Sequence, residues 1–129
     1  IASDGPMTVF GVGSPHPRTY GTFARVLGSY VRERNILSLE EAVRKMTSLP
    51  AQILSIKQRG LIKEGYYADI AIFDPKTIID KATFEDPHQY AIGVISVIVN
   101  GEIVIDQGVH NGNKPGRVLR GPGYSGSNN

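Results

Sequence analysis

Val94-Ile95-Ser96-Val97-Ile98-Val99-Asn100-Gly101-Glu102-Ile103-Val104-Ile105-Asp106 carries the clearest local fold instruction in the chain. Asn-Gly is the strongest short hairpin signal, because both central positions of the tight turn need positive φ and both residues tolerate it. The six residues before it are apolar on both alternating faces except at Ser96, which predicts a strand covered on both sides. Residues 102–106 return as its partner. Upstream, Ile70-Ala71-Ile72-Phe73 is another short apolar run, closed by Asp74-Pro75, so a small β region is expected. Asp69, just before that run, reads as a turn or edge residue. Residues 74–93 are polar and irregular, with Asp86-Pro87-His88 inside.

Before Gly60 the periodicity is helical. Residues 21–34 place Phe23, Val26, Leu27, Tyr30 and Val31 on one stripe, with Arg25, Arg32 and Arg34 facing away or at the end, and Asn35 as the stop. Ser38-Leu39-Glu40-Glu41 predicts a capping box, with Ser38 as N-cap and Glu41 three residues on. Leu39, Ala42, Val43 and Met46 form the stripe that follows. Pro50 suits a first helical turn, and Ala51 to Ile56 is expected as a short third helix. Residues 5–20 are broken up by Gly5, Pro6, Gly11, Gly13, Pro15 and Pro17, a loop long enough to be functional. Ile1-Ala2-Ser3 reads as the end of a buried strand, with Asp4 at its carboxyl end.

The totals exclude several classes. The chain has 129 residues, 40% hydrophobic and 20% charged, enough apolar material for a core and too little charge for a disordered chain. Its net charge of +2 is dispersed, without a Lys/Arg run, so no nucleic-acid footprint is expected. There is no cysteine, hence no disulfide or thiolate metal site within the chain. No stretch approaches the roughly 20 apolar residues of a membrane span, and no signal-peptide pattern opens the chain.

The candidate chemistry is sparse. Asp4 would stand at the strand end where (β/α) barrels carry their working residues; Ser-Asp-Gly is equally an ordinary turn. His16 and Arg18 flank Pro17, which biases His16 towards extended backbone. Each also has an ordinary reading, as a hydrogen-bonded loop histidine and a surface arginine. His88 and His110 have no spacing that makes a metal pair. Three scattered histidines without cysteine do not make an ordinary zinc site of three or four ligands.

Six motifs in order carry a family likeness: Ser3-Asp4-Gly5; His16-Pro17-Arg18-Thr19-Tyr20-Gly21-Thr22-Phe23; Leu39-Glu40-Glu41-Ala42-Val43-Arg44-Lys45-Met46-Thr47; Gly60-Leu61-Ile62-Lys63-Glu64-Gly65-Tyr66-Tyr67-Ala68-Asp69-Ile70; Phe84-Glu85-Asp86-Pro87-His88; and Val99-Asn100-Gly101. From Ala2 to about Arg120 the chain resembles the C-terminal part of a metal-dependent amidohydrolase, most closely the D-aminoacylase (N-acyl-D-amino-acid deacylase) branch. The resemblance implies an α/β fold: the last strand and helices of a (β/α)8 barrel over residues 1–58, then a small β domain over 59–120 forming part of a β-sandwich. Residues 121–129, rich in Gly, Ser and Asn, are expected to be a disordered tail.

The resemblance also implies zinc-dependent hydrolysis of the amide of N-acyl-D-amino acids. Zinc makes a hydroxide near neutral pH. Asp4 would accept a proton from that water and pass it to the leaving amine, and is also a candidate metal ligand. Arg18 would grip the substrate α-carboxylate through paired hydrogen bonds, with His16 a further substrate-side candidate that orders the loop. The family's His-x-His pair is absent, so zinc is expected in the complete enzyme and not on this chain alone, which is expected to be inactive. The expected partners are the N-acyl amino acid, the rest of the barrel and the N-terminal strands of the parent protein, without nucleic acid or membrane. The expected location is cytoplasmic. Two alternatives stand beside this reading: an amidohydrolase acting on a different, for example cyclic, amide, or a non-catalytic β-rich packing or oligomerisation module with Asp4 a turn residue.

Overall fold

In the computed structural model, which describes residues 1–125, a helical half leads into a four-stranded antiparallel sheet of order β1-β2-β3-β4. The strands are β1 (Ile70–Phe73), β2 (Val94–Val99), β3 (Glu102–Asp106) and β4 (Val109–His110). The hairpin forms where Asn-Gly placed it: Asn100 has φ 50° and Gly101 φ 85°, and Val99 pairs with Glu102. β2 is half-buried along most of its length, with Ile95 exposed, so it is less covered than its composition predicts. β4 had no signal in the sequence. It pairs Ile105 with His110 and Asp106 with Val109 around Gln107, a residue held at φ 47° with no turn preference to announce it.

The strand expected at Ile1–Ser3 is not formed. A strand needs a neighbour to take its backbone N–H and C=O groups, and none lies alongside among the described residues.

Helix α1 (Arg18–Arg25) begins three residues earlier than the periodicity suggests and continues as a π-helix over Val26–Glu33. The wider turn buries four consecutive residues, Val26, Leu27, Gly28 and Ser29, which a 3.6-residue stripe does not do. Phe23 and Tyr30, placed on the stripe by sequence, are exposed. Close approach sets this arrangement. A Cβ on Gly28 would lie 2.4 Å from the Ile78 carbonyl oxygen, and one on Gly21 2.7 Å from Asp80 Cβ, so both glycines press the helix against residues 78–80. Arg25 and Arg34 are exposed as expected, but Arg25 and Arg32 also bond the neighbouring segment: Arg25 Nη1 donates to Asp80 Oδ2 at 2.7 Å, and Arg32 Nη1 to the Ile78 carbonyl at 2.6 Å. Asn35, at φ 50°, ends the segment, with Ile36 N–H donating to Tyr30 O and Asn35 N–H to Val31 O.

Helix α2 (Leu39–Met46) is capped by Ser38 Oγ, which accepts from Glu41 N–H at 3.2 Å. The reciprocal half of the capping box is not made. Arg44 takes the Glu41 carboxylate at 2.7 and 2.9 Å, and that hydrogen bond holds the carboxyl down to about 2. Helix α3 (Ser48–Ile53) starts three residues before the expected Ala51, with Pro50 in its first turn. Ile78, 2% exposed, sits at the centre of the core with Ala24, Val26, Leu27 and Ala42, and Phe73, Ala91 and Val94 pack against this cluster. Of residues 121–129, those up to 125 are exposed and hold one turn, Tyr124 N–H to Gly121 O; the remainder of the expected tail lies outside the described residues. No helix among the described residues is long and apolar enough to cross a membrane.

Asp69 ties the segment before β1 to the hairpin. Its Oδ1 accepts the Asn100 N–H at 2.8 Å, its Oδ2 pairs with Arg59, and Arg59 also reaches Asn100 Oδ1. Burial alone would push the Asp69 carboxyl up; the Asn100 N–H and the Arg59 guanidinium outweigh it and hold the carboxyl below its usual range. Arg59 is nine-tenths buried and Asp69 a third exposed. Breaking a fully buried pair costs about 3–5 kcal/mol, so Asp69→Asn in this partly exposed pair is expected to cost about 2 kcal/mol in a denaturant titration. A depressed folded pKa contributes stability that is present above the unfolded value and lost as pH falls through the folded one. The gap between wild type and variant should therefore narrow below about pH 4; a gap independent of pH would count against the carboxylate as the source.

Candidate functional site

The site is built where the first residues of the chain meet the start of α1. Ser3-Asp4-Gly5 is irregular, without a backbone-bonded turn: Asp4 takes φ 49°, and Gly5 N–H donates to Ser3 Oγ at 3.3 Å. Asp adopts this left-handed conformation more readily than most residues. Gly5 lies against the helix, since a Cβ there would be 2.9 Å from Thr19 Cα. Thr19 Oγ1 is buried beside it and meets no hydrogen-bond partner among the described residues.

Asp4 Oδ2 lies 3.0 Å from Arg18 Nη2, with Asp4 largely exposed and Arg18 nearly half so. The loop of residues 5–17 brings the two together across fourteen positions of sequence. An ion pair this exposed is worth about 0–1 kcal/mol, so a competing carboxylate can readily take its place on the guanidinium. His16 Nδ1 accepts the Arg18 N–H at 3.0 Å, satisfying one of the free donors at the start of α1. The His16 ring meets Phe84 edge-on at 4.9 Å. Beside Arg18 opens a cleft of about 420 Å³, lined among others by His16, Thr22, Arg25, Asp80 and Phe84. Both cleft guanidinia are paired, but the side chain of Asp80, the partner of Arg25, is buried, whereas the partner of Arg18, Asp4, is largely exposed, so the Arg18 pair is the more easily opened to a ligand.

His88, read from sequence as a bland residue, lies in this neighbourhood. Its ring contacts Tyr20 of α1 and the loop that follows Asp4. Partners 68 to 77 positions away leave no spacing signal; the signals present are the family motif Phe84-Glu85-Asp86-Pro87-His88 and the proline directly before the histidine. His110 sits on β4 and accepts from Gly112 N–H at 2.9 Å. Among the described residues, no three His, Cys, Asp or Glu side chains are grouped to hold a metal ion. The residues present therefore do not fit a zinc site by themselves.

Asp4 and Arg18 thus form an exposed ion pair, with the Arg18 side at the wall of an open cleft. A model of the amidohydrolase family matches residues 1–105. The chain belongs to the amidohydrolase family. It is 49% identical over 105 residues to a D-aminoacylase of Alcaligenes xylosoxydans xylosoxydans, covering 81% of this chain and 22% of that protein. A crystal structure of D-aminoacylase, described as defining a novel subset of amidohydrolases, superposes with a TM-score of 0.80 at 49% identity, over 82% of this chain and 22% of that one. An N-acyl-D-glutamate deacylase of Bordetella bronchiseptica, solved with zinc and a phosphonate mimic of the tetrahedral intermediate, gives a TM-score of 0.77 at 46% identity, over 83% and 22%. The fold class is therefore that of these amidohydrolases, and the chain spans about a fifth of their length.

Proposed function

We propose that the complete protein hydrolyses the amide bond of N-acyl-D-amino acids, and that this chain supplies its proton-transfer carboxylate, Asp4, and its carboxylate grip, Arg18. The observation that carries this is the 3.0 Å approach of Asp4 to Arg18. In an N-acyl amino acid the leaving nitrogen and the carboxylate are bonded to the same carbon. A group that protonates the nitrogen and a group that holds the carboxylate must then lie within a few ångströms of each other. Arg18 binds the substrate carboxylate, exchanging it for Asp4. Asp4, released, accepts a proton from the attacking water and returns it to the nitrogen as the C–N bond breaks, giving a free acid and a free amino acid. The D configuration and the zinc requirement follow the relatives named above. The zinc ligands would come from parts of the complete protein outside these residues. In the same reading, residues 1–58 belong to the end of the catalytic barrel, and 59–120 to a β domain completed by strands from elsewhere in that protein.

The test is release of free amino acid from N-acetyl-D- and N-acetyl-L-amino acids by the complete, zinc-loaded protein. D-selective turnover is expected; none on any N-acyl-D-amino acid overturns the reading. The 129-residue chain alone, with zinc added, is expected to give no turnover above a protein-free blank. Metal-dependent turnover by it would overturn the assignment of the ligands to the rest of the protein.

A further inference from the structure

We propose that His88 is a positioning residue for Arg18: its imidazole fastens the loop that follows Asp4 to the first turn of α1. The proposal rests on the reading of Arg18 as the carboxylate grip. The ring makes three contacts with distant backbone and side chain. Nδ1 lies 3.1 Å from Gly11 N and 3.0 Å from Tyr20 Oη, and Nε2 lies 3.0 Å from the Gly13 carbonyl oxygen.

These partners fix the tautomer. Gly11 N–H can only donate, so Nδ1 is without hydrogen and accepts. Tyr20 O–H, directed at the same nitrogen, shares that single lone pair with Gly11 N–H as a three-centre contact. Nε2 carries the ring hydrogen and donates to Gly13 O. One neutral imidazole thus uses its whole hydrogen-bonding capacity on two elements at once. Its ring is also enclosed by aromatics: Phe10 packs edge-on at 5.5 Å and Tyr20 at 5.7 Å, while Phe10 stacks on Tyr90 at 4.8 Å. Thr8 Oγ1, 3.3 Å from Tyr20 Oη, extends the link towards Asp4.

The consequence for the site follows from position. Tyr20 is two residues beyond Arg18 and in the same turn of α1. The loop that His88 holds is the one running from Asp4 to Arg18. With the loop released, the Asp4–Arg18 pair keeps the packing of Gly5 on Thr19 and the place of Arg18 in α1, but loses the restraint of the intervening loop against the helix. Residue packing alone, without positioning, would show differently: it would lower the fraction of folded protein, and so kcat, while leaving KM unmoved.

The experiment uses the complete protein with His88→Phe, which keeps a stacking ring and removes all three hydrogen bonds, and His88→Asn, whose side-chain oxygen can accept near the Nδ1 position. Amide exchange of the segment 7–13 is expected to rise about tenfold or more in His88→Phe. KM for an N-acyl-D-amino acid should rise about tenfold, and that for the matching carboxamide much less, with kcat changed less than KM. His88→Asn should recover most of both. Unchanged exchange in His88→Phe, or a fall in kcat with KM unmoved, overturns the proposal. Should His88→Phe lose its cooperative melting transition, Tyr20→Phe, which removes one hydroxyl, must show a smaller rise in the same two quantities. A wild-type protein inactive on every N-acyl-D-amino acid sinks the deacylase reading and the Arg18 role with it, while the exchange measurement still judges the tether.

Discussion

Asp4→Asn in the complete protein is expected to cut kcat by about two to four orders of magnitude, the usual span for loss of a general acid–base group. Asn keeps the size of the side chain and its capacity to accept a hydrogen bond, and tolerates the positive φ of Asp4, so the local backbone should survive. What Asn cannot do is take a proton from the attacking water and return it to the leaving nitrogen. The pairing with Arg18 makes the prediction sharper. Asp4 occupies the guanidinium in the free protein, so its neutralisation removes a competitor for that guanidinium. KM should hold or fall while kcat collapses. Zinc bound per protein, measured alongside the kinetics, should stay close to the wild-type value. A near-normal kcat would give Asp4 another task, and a large loss of zinc would make it a ligand first.

Much of the β half was legible because its instructions are local. Short runs of apolar, mostly β-branched residues, Asp74-Pro75 as a stop and Asn100-Gly101 as a turn each act over a few positions, and β1, β2 and β3 lie at the residues so marked. Features set by tertiary contact were not legible. The π-helical turns over Val26–Glu33 go with Gly21 and Gly28 pressing on residues 78–80, some fifty positions away. The strand read at Ile1–Ser3 depends on a neighbour that no pattern within those three residues specifies. The site divides the same way. Asp4 and Arg18 were visible as residue types in a family motif, but their 3.0 Å approach is made by the course of the loop between them. His88 was passed over because imidazoles are usually sought as metal pairs, and this one spends its nitrogens on Gly11, Gly13 and Tyr20.

Arg18→Lys tests the other half of the pair. Lysine keeps the positive charge at the start of α1 but is a point charge, without the planar fork that meets both carboxylate oxygens. A hydrogen bond to a charged group contributes about 1.5–3 kcal/mol, and each 1.4 kcal/mol is a factor of ten, so losing one of two such bonds should raise KM about tenfold or more. The effect must depend on the substrate. A carboxamide in place of the free carboxylate offers one acceptor oxygen and no charge, so it has little to lose when the fork is removed, and its KM should move less than about threefold. kcat should fall far less than in Asp4→Asn, because Arg18 holds a part of the substrate that does not change charge during amide cleavage, and such binding acts on KM. Steady-state kinetics of both substrates with both proteins gives the comparison as a ratio of ratios, from which differences in active fraction cancel. Equal rises for carboxylate and carboxamide would remove carboxylate recognition from Arg18 and leave it as the ion-pair partner that restrains Asp4. In that case Arg18→Lys should show its main loss in kcat, so the two roles predict opposite distributions of the effect.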